Sequence, residues 1–289
     1  MSGRFASHPA VERPGVASPL AVALLRRRLL PVVRWLFRAR LSGTEHLPAG
    51  RPYLLVANHP SSLGTAELAA FMALYAERFG GERPLAGFAH AASFRWWPLS
   101  WVFRQIGAIP STYDAAYAAL AAGAPIALFP GGDYEGFRPF WQQGRADFGG
   151  RLGFLRIARK AWVPVVPMAI RGVTAPMLWR SSLLSYLFVW PRVVGVKRYG
   201  VSLLGLLGVI AIAALLPLAA HWRAAVAFAW AASPLAMTAW LPATIRIRIG
   251  DPIEPEALFG ERGSANDAEL PAALGAVEQA VQRLLDAPD

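Results

Sequence analysis

The side chains best suited to acid–base chemistry lie in one short segment, VANHPSSLGTAEL, which runs from a strand-like stretch into a helix-like one. His59 follows the apolar residues Tyr53–Ala57, and a histidine titrates near neutral pH, so it can act as a general base. The nearest following carboxylate is Glu67, eight residues later. In one continuous helix these two residues would lie about 12 Å apart. Pro60 and Gly64 indicate that the intervening turn is not helical, so the two side chains can meet.

A second segment, LFPGGDYEGFRPFW, places two adjacent glycines and two carboxylates directly after another strand-like stretch. Adjacent glycines let a backbone turn sharply and bring its N–H groups close to a ligand, although a tight surface turn has the same pattern. Asp133 and Glu135 would orient a ligand or shape this loop. A third segment, GGRLGFLRIARKAWVPVVPMAIRG, begins a basic helix in which Arg151 and Arg156 would hold a phosphate or face solvent.

The composition indicates contact with a membrane. Of the 289 residues, 55% are hydrophobic and 16% charged, with a mean hydropathy of +0.36; soluble domains carry about 25% charged residues. The net charge of +11 suits nucleic acid or anionic lipid. No zinc-finger spacing, RNA-binding signature or long basic tract is present, so we expect lipid partners and no nucleic acid. The chain has no cysteine, which excludes thiolate nucleophiles and cysteine-ligated metals, and we expect no metal.

Residues Pro19–Leu41 have the periodicity of an amphipathic helix. One face of this helix carries Val22, Leu25, Leu29, Val33 and Leu36. The opposite face carries Arg27, Arg34 and Arg38. Such a helix suits a membrane interface, where arginines meet anionic lipid. The alternative is a helix that packs on the protein's own core and exposes its arginines.

Between Gly43 and Gly172 short apolar stretches alternate with helical ones, which is typical of an α/β domain with a largely parallel sheet. The predicted strands are Tyr53–Ala57, Leu85–Ala89, Ile126–Phe129 and Val165–Ile170. The predicted helices are Thr65–Phe79, Trp97–Ile106, Tyr113–Ala122 and Gly153–Lys160.

Two uncharged runs follow, Tyr199–Ala220 and Ala224–Ile245, each about as long as the 20 residues that cross a hydrocarbon core. Basic residues at both outer ends suit a hairpin that returns to the cytoplasmic side. Pro217 and Pro234 weaken the prediction of two uninterrupted membrane-spanning helices. Two alternatives therefore stay open, a shallow re-entrant or monotopic insertion and a buried soluble helical pair. Residues 245–249 then alternate as a half-buried strand, which we expect at a sheet edge.

These patterns predict a single α/β domain with a twisted, largely parallel sheet, an N-terminal amphipathic helix and a hydrophobic helical-hairpin insertion. The predicted parts are a flexible tail (1–18), a membrane-interface helix (19–42), a catalytic core (43–172), a membrane-associated insertion (173–243), and a returning edge strand with a C-terminal helix (244–289). We expect a membrane-associated protein whose core lies on the cytoplasmic side.

Four blocks, in order, resemble the glycerolipid acyltransferase superfamily, the lysophosphatidic acid acyltransferase-like (phospholipid-glycerol acyltransferase) fold. The blocks are LSGTEHLPAGRPYLLVANHPS, GAIPSTYDAAYAAL, AAGAPIALFPGG and VPVVPMAIRG. The PGG form with a following glutamate, and GGRLGFLRIA after it, is similar to the branch that includes diacylglycerol acyltransferase-like enzymes. The main family carries an aspartate five residues after its histidine, where this chain has Gly64.

The resemblance implies acyl transfer from acyl-CoA or acyl-carrier protein to a glycerolipid hydroxyl, with no covalent intermediate and no cofactor. His59 would be the general base, and Glu67 would replace the family's aspartate; the alternative for Glu67 is a solvated residue in the first turn of a helix. The candidate substrate-binding residues are Asn58, Arg95, Pro130, Gly131, Gly132, Asp133, Glu135, Arg138 and Arg151. Backbone N–H groups of Gly131 and Gly132, or the Asn58 amide, would bind the oxyanion.

The acceptor stays open at this stage. A lysophospholipid such as 1-acylglycerol 3-phosphate would use the arginines, and a neutral glyceride of the diacylglycerol type would not need them. A membrane lipid-binding protein without catalysis, and a small membrane protein whose hairpin is the functional part, are the two alternatives from other classes.

Overall fold

The computed structural model describes residues 14–61, 65–193, 195–238, 241–262 and 267–288. Most of the predicted tail, Gly64 and part of the turn after His59 lie outside these residues. Within them, seven strands form one sheet in the order β1-β9-β6-β2-β5-β3-β4, and β7 pairs with β8 in a separate antiparallel ribbon. The predicted α/β fold with a largely parallel sheet is confirmed, because β6, β2, β5, β3 and β4 all run in the same direction.

The strands agree with the predicted ones to within about a residue, and the sequence patterns missed several short strands. The strands are β1 (Arg40–Ser42), β2 (Leu54–Ala57), β3 (Ala86–Ala89), β4 (Ile109–Pro110), β5 (Ile126–Leu128), β6 (Val165–Arg171), β7 (Met177–Ser181), β8 (Tyr199–Ser202) and β9 (Arg246–Ile249). The unpredicted strands β1, β4, β7 and β8 have two to five residues each, too few for a periodicity to develop.

The helices connect and cover these strands. They are α1 (Pro19–Leu24), α2 (Leu30–Phe37), α3 (Thr65–Phe79), α4 (Leu99–Gln105), α5 (Tyr113–Ala121), α6 (Gly132–Gly136), α7 (Gly153–Ala161), α8 (Ser182–Leu187), α9 (Trp190–Val193), α10 (Leu203–Leu215), α11 (Ala220–Ala232), α12 (Pro255–Phe259) and α13 (Leu270–Asp286). A π-helical turn, Leu25–Leu29, joins α1 to α2. The predicted α3 and the C-terminal helix are confirmed.

Both faces of the sheet are buried, as a parallel sheet requires. Leu54 and Val56 of β2 pack in one core with residues of α5, α7 and α13. Leu55 and Ala57, which point to the other face, pack in a second core with residues of α2 and α3. Strand β2 is therefore buried on both faces, which fixes the position of the residue that follows it.

The prediction that residues 245–249 form an edge strand is wrong. Strand β9 lies between β6, to which it is antiparallel, and β1, to which it is parallel. Arg40–Ser42 forms the edge instead, and the alternation of Ile and Arg in β9 reflects one covered face rather than an open edge. The boundary of the predicted interface helix also changes, because α2 ends at Phe37 and β1 begins at Arg40.

The N-terminal helix packs on the protein's own core. Leu30, Val33 and Phe37 are buried against α3, and Arg34 forms an ion pair of 2.9 Å with Glu77 of that helix. Of the predicted apolar face, Val33 is buried and the other four residues are half-buried, so the segment packs on the protein's own core as in the alternative interpretation.

The insertion folds as a lobe made of β7, α8, α9, β8, α10 and α11, which we call the accessory lobe. Helices α10 and α11 have 13 residues each, because Leu216–Ala219 forms a turn inside the first of the two uncharged runs. Among the described residues, no helix combines the length and the apolar character needed to cross a membrane.

Candidate active site

The candidate site lies at the carboxyl edge of the parallel strands. His59 follows β2, residues 129–132 follow the neighbouring β5, and Thr174 follows β6 on the other side. Because adjacent parallel strands end at the same edge of a sheet, three segments that are far apart in sequence converge there.

Asn58 has a structural position. Its side chain is 1% exposed; its Nδ2 donates to the carbonyl oxygen of Ile170 (2.9 Å) and its Oδ1 accepts from the N–H of Ile170 (2.8 Å). These bonds extend the pairing of β2 with β6 by one residue. The amide therefore fixes the direction in which the chain leaves the sheet toward His59.

Glu135 holds the backbone of the histidine. Its carboxylate is 2% exposed; Oε2 accepts from the N–H of His59 (2.9 Å) and Oε1 accepts from the N–H of Asp147 (3.2 Å). Burial raises the pKa of Glu135 to about 7, against the opposing effect of these hydrogen bonds and of Arg138. A Cβ at Gly131 would overlap this carboxylate, so glycine is the residue that allows the close approach.

Glu67 lies in the first turn of α3 and is 1% exposed. Its Oε1 accepts from the hydroxyls of Ser61 (2.6 Å) and Thr174 (2.8 Å). Burial raises the pKa of Glu67, although both hydroxyl bonds oppose that effect. The other oxygen, Oε2, is buried without a hydrogen-bond partner among the described residues, and so is Nδ1 of His59.

The structure thus does not join His59 and Glu67 by a direct hydrogen bond within its described part. Both side chains line the same cavity, and each has one buried polar atom without a hydrogen-bond partner among the described residues. An unpaired buried polar group costs about 1–3 kcal/mol, so a partner for either atom would stabilise it.

The imidazole of His59 is neutral at physiological pH. Desolvation lowers its pKa from 6.5 to about 4, and the nearby negative charge of Asp133 opposes this shift. The ring packs edge-on against Phe129, with 5.7 Å between ring centroids. A neutral imidazole has a ring nitrogen that can accept a proton.

Asp133 is engaged by three donors. Arg151 donates to its Oδ1 (2.5 Å), and the backbone N–H groups of Lys197 and Arg198 donate to its Oδ2 (3.0 Å each). Burial would raise the pKa of Asp133, but these bonds and the Arg151 charge outweigh it and lower the pKa. Arg151 also donates to the carbonyl oxygen of Pro130 (3.1 Å), which fixes the PGG turn.

Arg138 and Arg95, both predicted to bind substrate, lie away from the cavity. Arg138 is 4% exposed and donates to the carbonyl oxygens of Arg145 (2.8 Å) and Asp147 (2.9 Å), so it shapes the loop before α7. Arg95 is exposed at the end of a 3₁₀ turn.

A cavity of about 900 Å³ opens beside His59. It follows one face of α3 from Glu67 to Ala76, a length of about 14 Å, and is lined mainly by apolar side chains such as Leu68, Phe71 and Met72. Of the predicted site residues, those that line it are His59, Glu67, Pro130, Gly132, Asp133 and Arg151, whereas Asn58, Arg95, Gly131, Glu135 and Arg138 do not.

Several residues of the site were missed by sequence reasoning. Ser61 and Thr174 hold Glu67, and Lys197 lies on the cavity wall beside Asp133. Thr174 could have been found, because it follows a strand that neighbours β2, whereas the position of Lys197 depends on how the accessory lobe folds back. No group of three or more potential metal ligands occurs in the described ranges.

Comparisons with known proteins concern the part of the chain that carries this site. The model of the Acyltransferase family matches residues 38–171, which include His59, Glu67 and the PGG loop. The match is consistent with the resemblance to the glycerolipid acyltransferase superfamily drawn from the sequence. It does not distinguish the diacylglycerol acyltransferase-like branch.

Among curated proteins, an uncharacterized protein of Mycobacterium leprae is 32% identical over 192 residues, covering 65% of this chain and 50% of the relative. An uncharacterized protein of Mycobacterium tuberculosis is 32% identical over 158 residues, covering 54% of this chain and 44% of the relative. The chain thus spans half or less of the length of these relatives. The crystal structure of the 1-acyl-sn-glycerophosphate (LPA) acyltransferase PlsC from Thermotoga maritima is similar with a TM-score of 0.49 and 16% identity, over 99% of this chain and 86% of that one.

Proposed function

We propose that this protein transfers a fatty acyl group from a thioester donor to the hydroxyl of a glycerolipid, with His59 as the general base. The observation that carries the proposal is a neutral imidazole beside a large apolar cavity. A general base must be unprotonated before reaction, and the low pKa of His59 meets that condition over the physiological range.

The reaction needs two proton transfers, one to His59 and one from it. As the acceptor oxygen attacks the thioester carbonyl, a His59 ring nitrogen takes the hydroxyl proton. When the tetrahedral intermediate collapses, the C–S bond breaks and the imidazolium returns the proton to the leaving thiolate. This direct transfer needs no covalent acyl-enzyme, in keeping with a chain that has no cysteine and no Gly-x-Ser-x-Gly turn.

Glu67 is the proposed partner of His59. A carboxylate that accepts from Nδ1–H fixes the tautomer and stabilises the imidazolium that forms during reaction. The bonds from Ser61 and Thr174 to Oε1 leave Oε2 for this role. Pairing Oε2 with Nδ1 of His59, directly or through one water, would satisfy both unpaired atoms at once.

Two of the three groups predicted to bind the oxyanion are engaged elsewhere. The N–H of Gly132 donates to the carbonyl oxygen of Phe129 (3.1 Å), and the Asn58 amide is bound to Ile170. The third, Gly131, does not line the cavity, so none of the three predicted groups is both free of internal bonds and at the cavity wall.

The cavity suits the acyl chain. Its volume of about 900 Å³ lies near the upper end of the range for small-molecule sites, about 300–1,000 Å³. Leu68, Phe71 and Met72 would remove the methylenes of the chain from water, at about 0.8 kcal/mol for each CH₂ buried. Acyl-CoA and acyl-carrier protein are both donors that could present such a chain.

We propose a lysophospholipid, such as 1-acylglycerol 3-phosphate, as the acceptor. Arg151 and Lys197 line the cavity beside Asp133, so the polar part of the wall carries one net positive charge for a phosphate. A neutral glyceride of the diacylglycerol type is the second candidate. Two contacts favour this candidate: Arg138 donates to internal carbonyl groups, and Arg151 is bonded to Asp133. Both arginines thus already have partners inside the protein, and a neutral acceptor would not need them.

The test is acyl transfer by the full chain in mild detergent, with radiolabelled acyl-CoA or acyl-carrier protein as donor. Lysophosphatidic acid, other lysophospholipids, monoacylglycerol and diacylglycerol would be offered as separate acceptors. We expect esterification of a phosphate-bearing acceptor and its loss in His59→Ala. Esterification of diacylglycerol alone would favour the second candidate.

A non-catalytic lipid-binding role predicts a different result. The matched control is His46→Ala, because His46 lies outside the cavity lining and pairs with Asp251 at 2.7 Å. If wild type, His46→Ala and His59→Ala all bind lipid and none transfers an acyl group to any acceptor, the proposed activity is refuted.

A further inference from the structure

The accessory lobe exposes the most apolar part of the chain. In α10 only Gly205 is buried, and no residue of α11 is. Leu215 is 78% exposed, Trp222 60% and Ile210 54%. An exposed apolar surface of this extent, formed by neighbouring helices, marks a site of interaction.

The turn between the two helices is apolar as well. Its sequence is LLPLAA (residues 215–220), and Leu215, Leu218 and Ala219 are exposed. Turns that face water are normally built from polar residues with glycine or asparagine. An apolar turn at the tip of an apolar hairpin is therefore suited to a hydrocarbon environment.

The charges of the lobe are of one sign. Residues 173–243 contain five basic residues and no acidic one. Four of these, Arg180, Arg192, Lys197 and Arg198, precede the hairpin in sequence. The fifth, Arg223, donates to the carbonyl oxygen of Ala213 (2.9 Å) near the C-terminal end of α10, where the helix dipole is negative. This balance complements an anionic lipid surface.

The hairpin is short. Each helix has 13 residues and is about 20 Å long, whereas a hydrocarbon core is about 30 Å thick. Apolar contact without spanning is the arrangement that this length allows.

We propose that the α10–α11 hairpin embeds in one leaflet of an anionic membrane without crossing it. The second exposed apolar stripe, Leu183, Tyr186 and Leu187 on α8, would rest in the same interface. A second copy of this chain would also cover apolar helices, but five like charges on each lobe would oppose that pairing.

The lobe contacts Asp133 and Tyr134 beside the cavity, so its membrane contact would orient the site. The guanidinium groups of Arg180 and Arg198 lie over the ring of Tyr134 at 4.4 and 5.3 Å. Arg180 also donates to the Tyr134 carbonyl oxygen, and Asp133 binds the backbone of Lys197. Because Lys197 lines the cavity, an embedded hairpin would hold the cavity close to the leaflet from which a lipid acceptor enters.

The absence of cysteine allows a direct test. Ala219→Cys places a single thiol at the hairpin tip, and Ala276→Cys places one at an exposed position of α13 as the matched control. The full chain would be labelled with a membrane-impermeant maleimide, alone and with vesicles of phosphatidylglycerol and phosphatidylcholine. We expect at least about tenfold slower labelling of the tip with vesicles, and no change at the control position.

Three outcomes would overturn the proposal. Unchanged labelling of the tip with vesicles would exclude insertion. Labelling by reagent trapped inside the vesicles would show a spanning hairpin, and protection that depends on protein concentration without vesicles would show self-association. Leu215→Glu should reduce flotation with anionic vesicles about tenfold, and Ala276→Glu should not. These readouts do not involve acyl transfer, so His59→Ala should behave as wild type whether or not the proposed activity is correct.

Discussion

The backbone N–H of His59 donates to the Oε2 atom of Glu135 at 2.9 Å, which joins the histidine to a carboxylate 76 residues later in the chain. The same carboxylate accepts from Asp147 and packs against Gly131. A buried group with a pKa near 7 thus fixes the backbone of the proposed base and the shape of the PGG loop together.

Replacement of Glu135 by glutamine should reduce kcat more than it raises KM. Both carboxylate oxygens accept backbone N–H bonds, and the glutamine amide can accept only one of them. We expect about 1–3 kcal/mol of destabilisation from the unpaired donor, and a displaced His59. The measurement is steady-state kinetics together with urea unfolding.

Glu278→Gln is the matched control for this change. Glu278 also accepts a backbone N–H, from Phe148 at 2.6 Å, but that bond does not involve His59. Equal loss of kcat in both variants would mean that Glu135 acts only through stability.

Gly131→Ala should impair activity through the same carboxylate. A Cβ at this position would overlap Glu135, and such overpacking destabilises a protein by about 1–3 kcal/mol. We expect at least about a tenfold lower kcat/KM, because displacement of Glu135 frees the His59 N–H. Gly144→Ala, where a Cβ has nothing within 4 Å, should keep wild-type activity. Wild-type kinetics in both variants would contradict the role assigned to the contact.

Glu67→Gln should lower kcat by about 10²-fold or more, because an amide cannot replace a carboxylate that accepts from Nδ1–H and stabilises the imidazolium. The amide oxygen of glutamine can still accept hydrogen bonds from Ser61 and Thr174, so we expect a folded variant. Glu77→Gln, on the exposed side of the same helix, is the control. If Glu67→Gln retains its kcat, the partner of His59 is another group.

The stability of the protein should respond to pH through two opposing groups. The folded-state pKa of His59 is lowered to about 4, so its contribution to stability is lost as the pH falls from 6.5 toward 4. The folded-state pKa of Glu135 is raised to about 7, so its contribution is lost as the pH rises from 4.5 to 7. Between pH 4.5 and 6.5 the two effects oppose each other.

Removal of one group should therefore reveal the pH dependence of stability that the other group contributes. In Glu135→Gln the free energy of unfolding should rise with pH between 4.5 and 6.5 more steeply than in wild type. Adding His59→Ala to that variant should remove the extra slope. Urea unfolding at pH 5 and 6.5 measures this, and identical slopes in wild type and Glu135→Gln would contradict the assigned shifts.

The sequence predicted the sheet core well, because β2, β5 and β6 are buried on both faces and carry strong apolar signals. The roles of individual side chains were harder to predict. Glu135 and Arg138 look like ligand-binding residues in sequence, yet both are buried in internal hydrogen bonds that arise only when the loop closes on residues 142–147. The edge prediction for β9 failed because β1, with three residues, has no detectable period.

The most direct test of the central claim is acyl transfer by His59→Ala with and without added imidazole. Removal of a general base should lower the rate by about 10²–10⁴-fold, and imidazole that enters the vacated space should restore part of it. We predict a concentration-dependent rescue in His59→Ala and none in His46→Ala, which should retain wild-type activity. A His59→Ala protein that transfers the acyl group at the wild-type rate would contradict the assignment of His59 as the base.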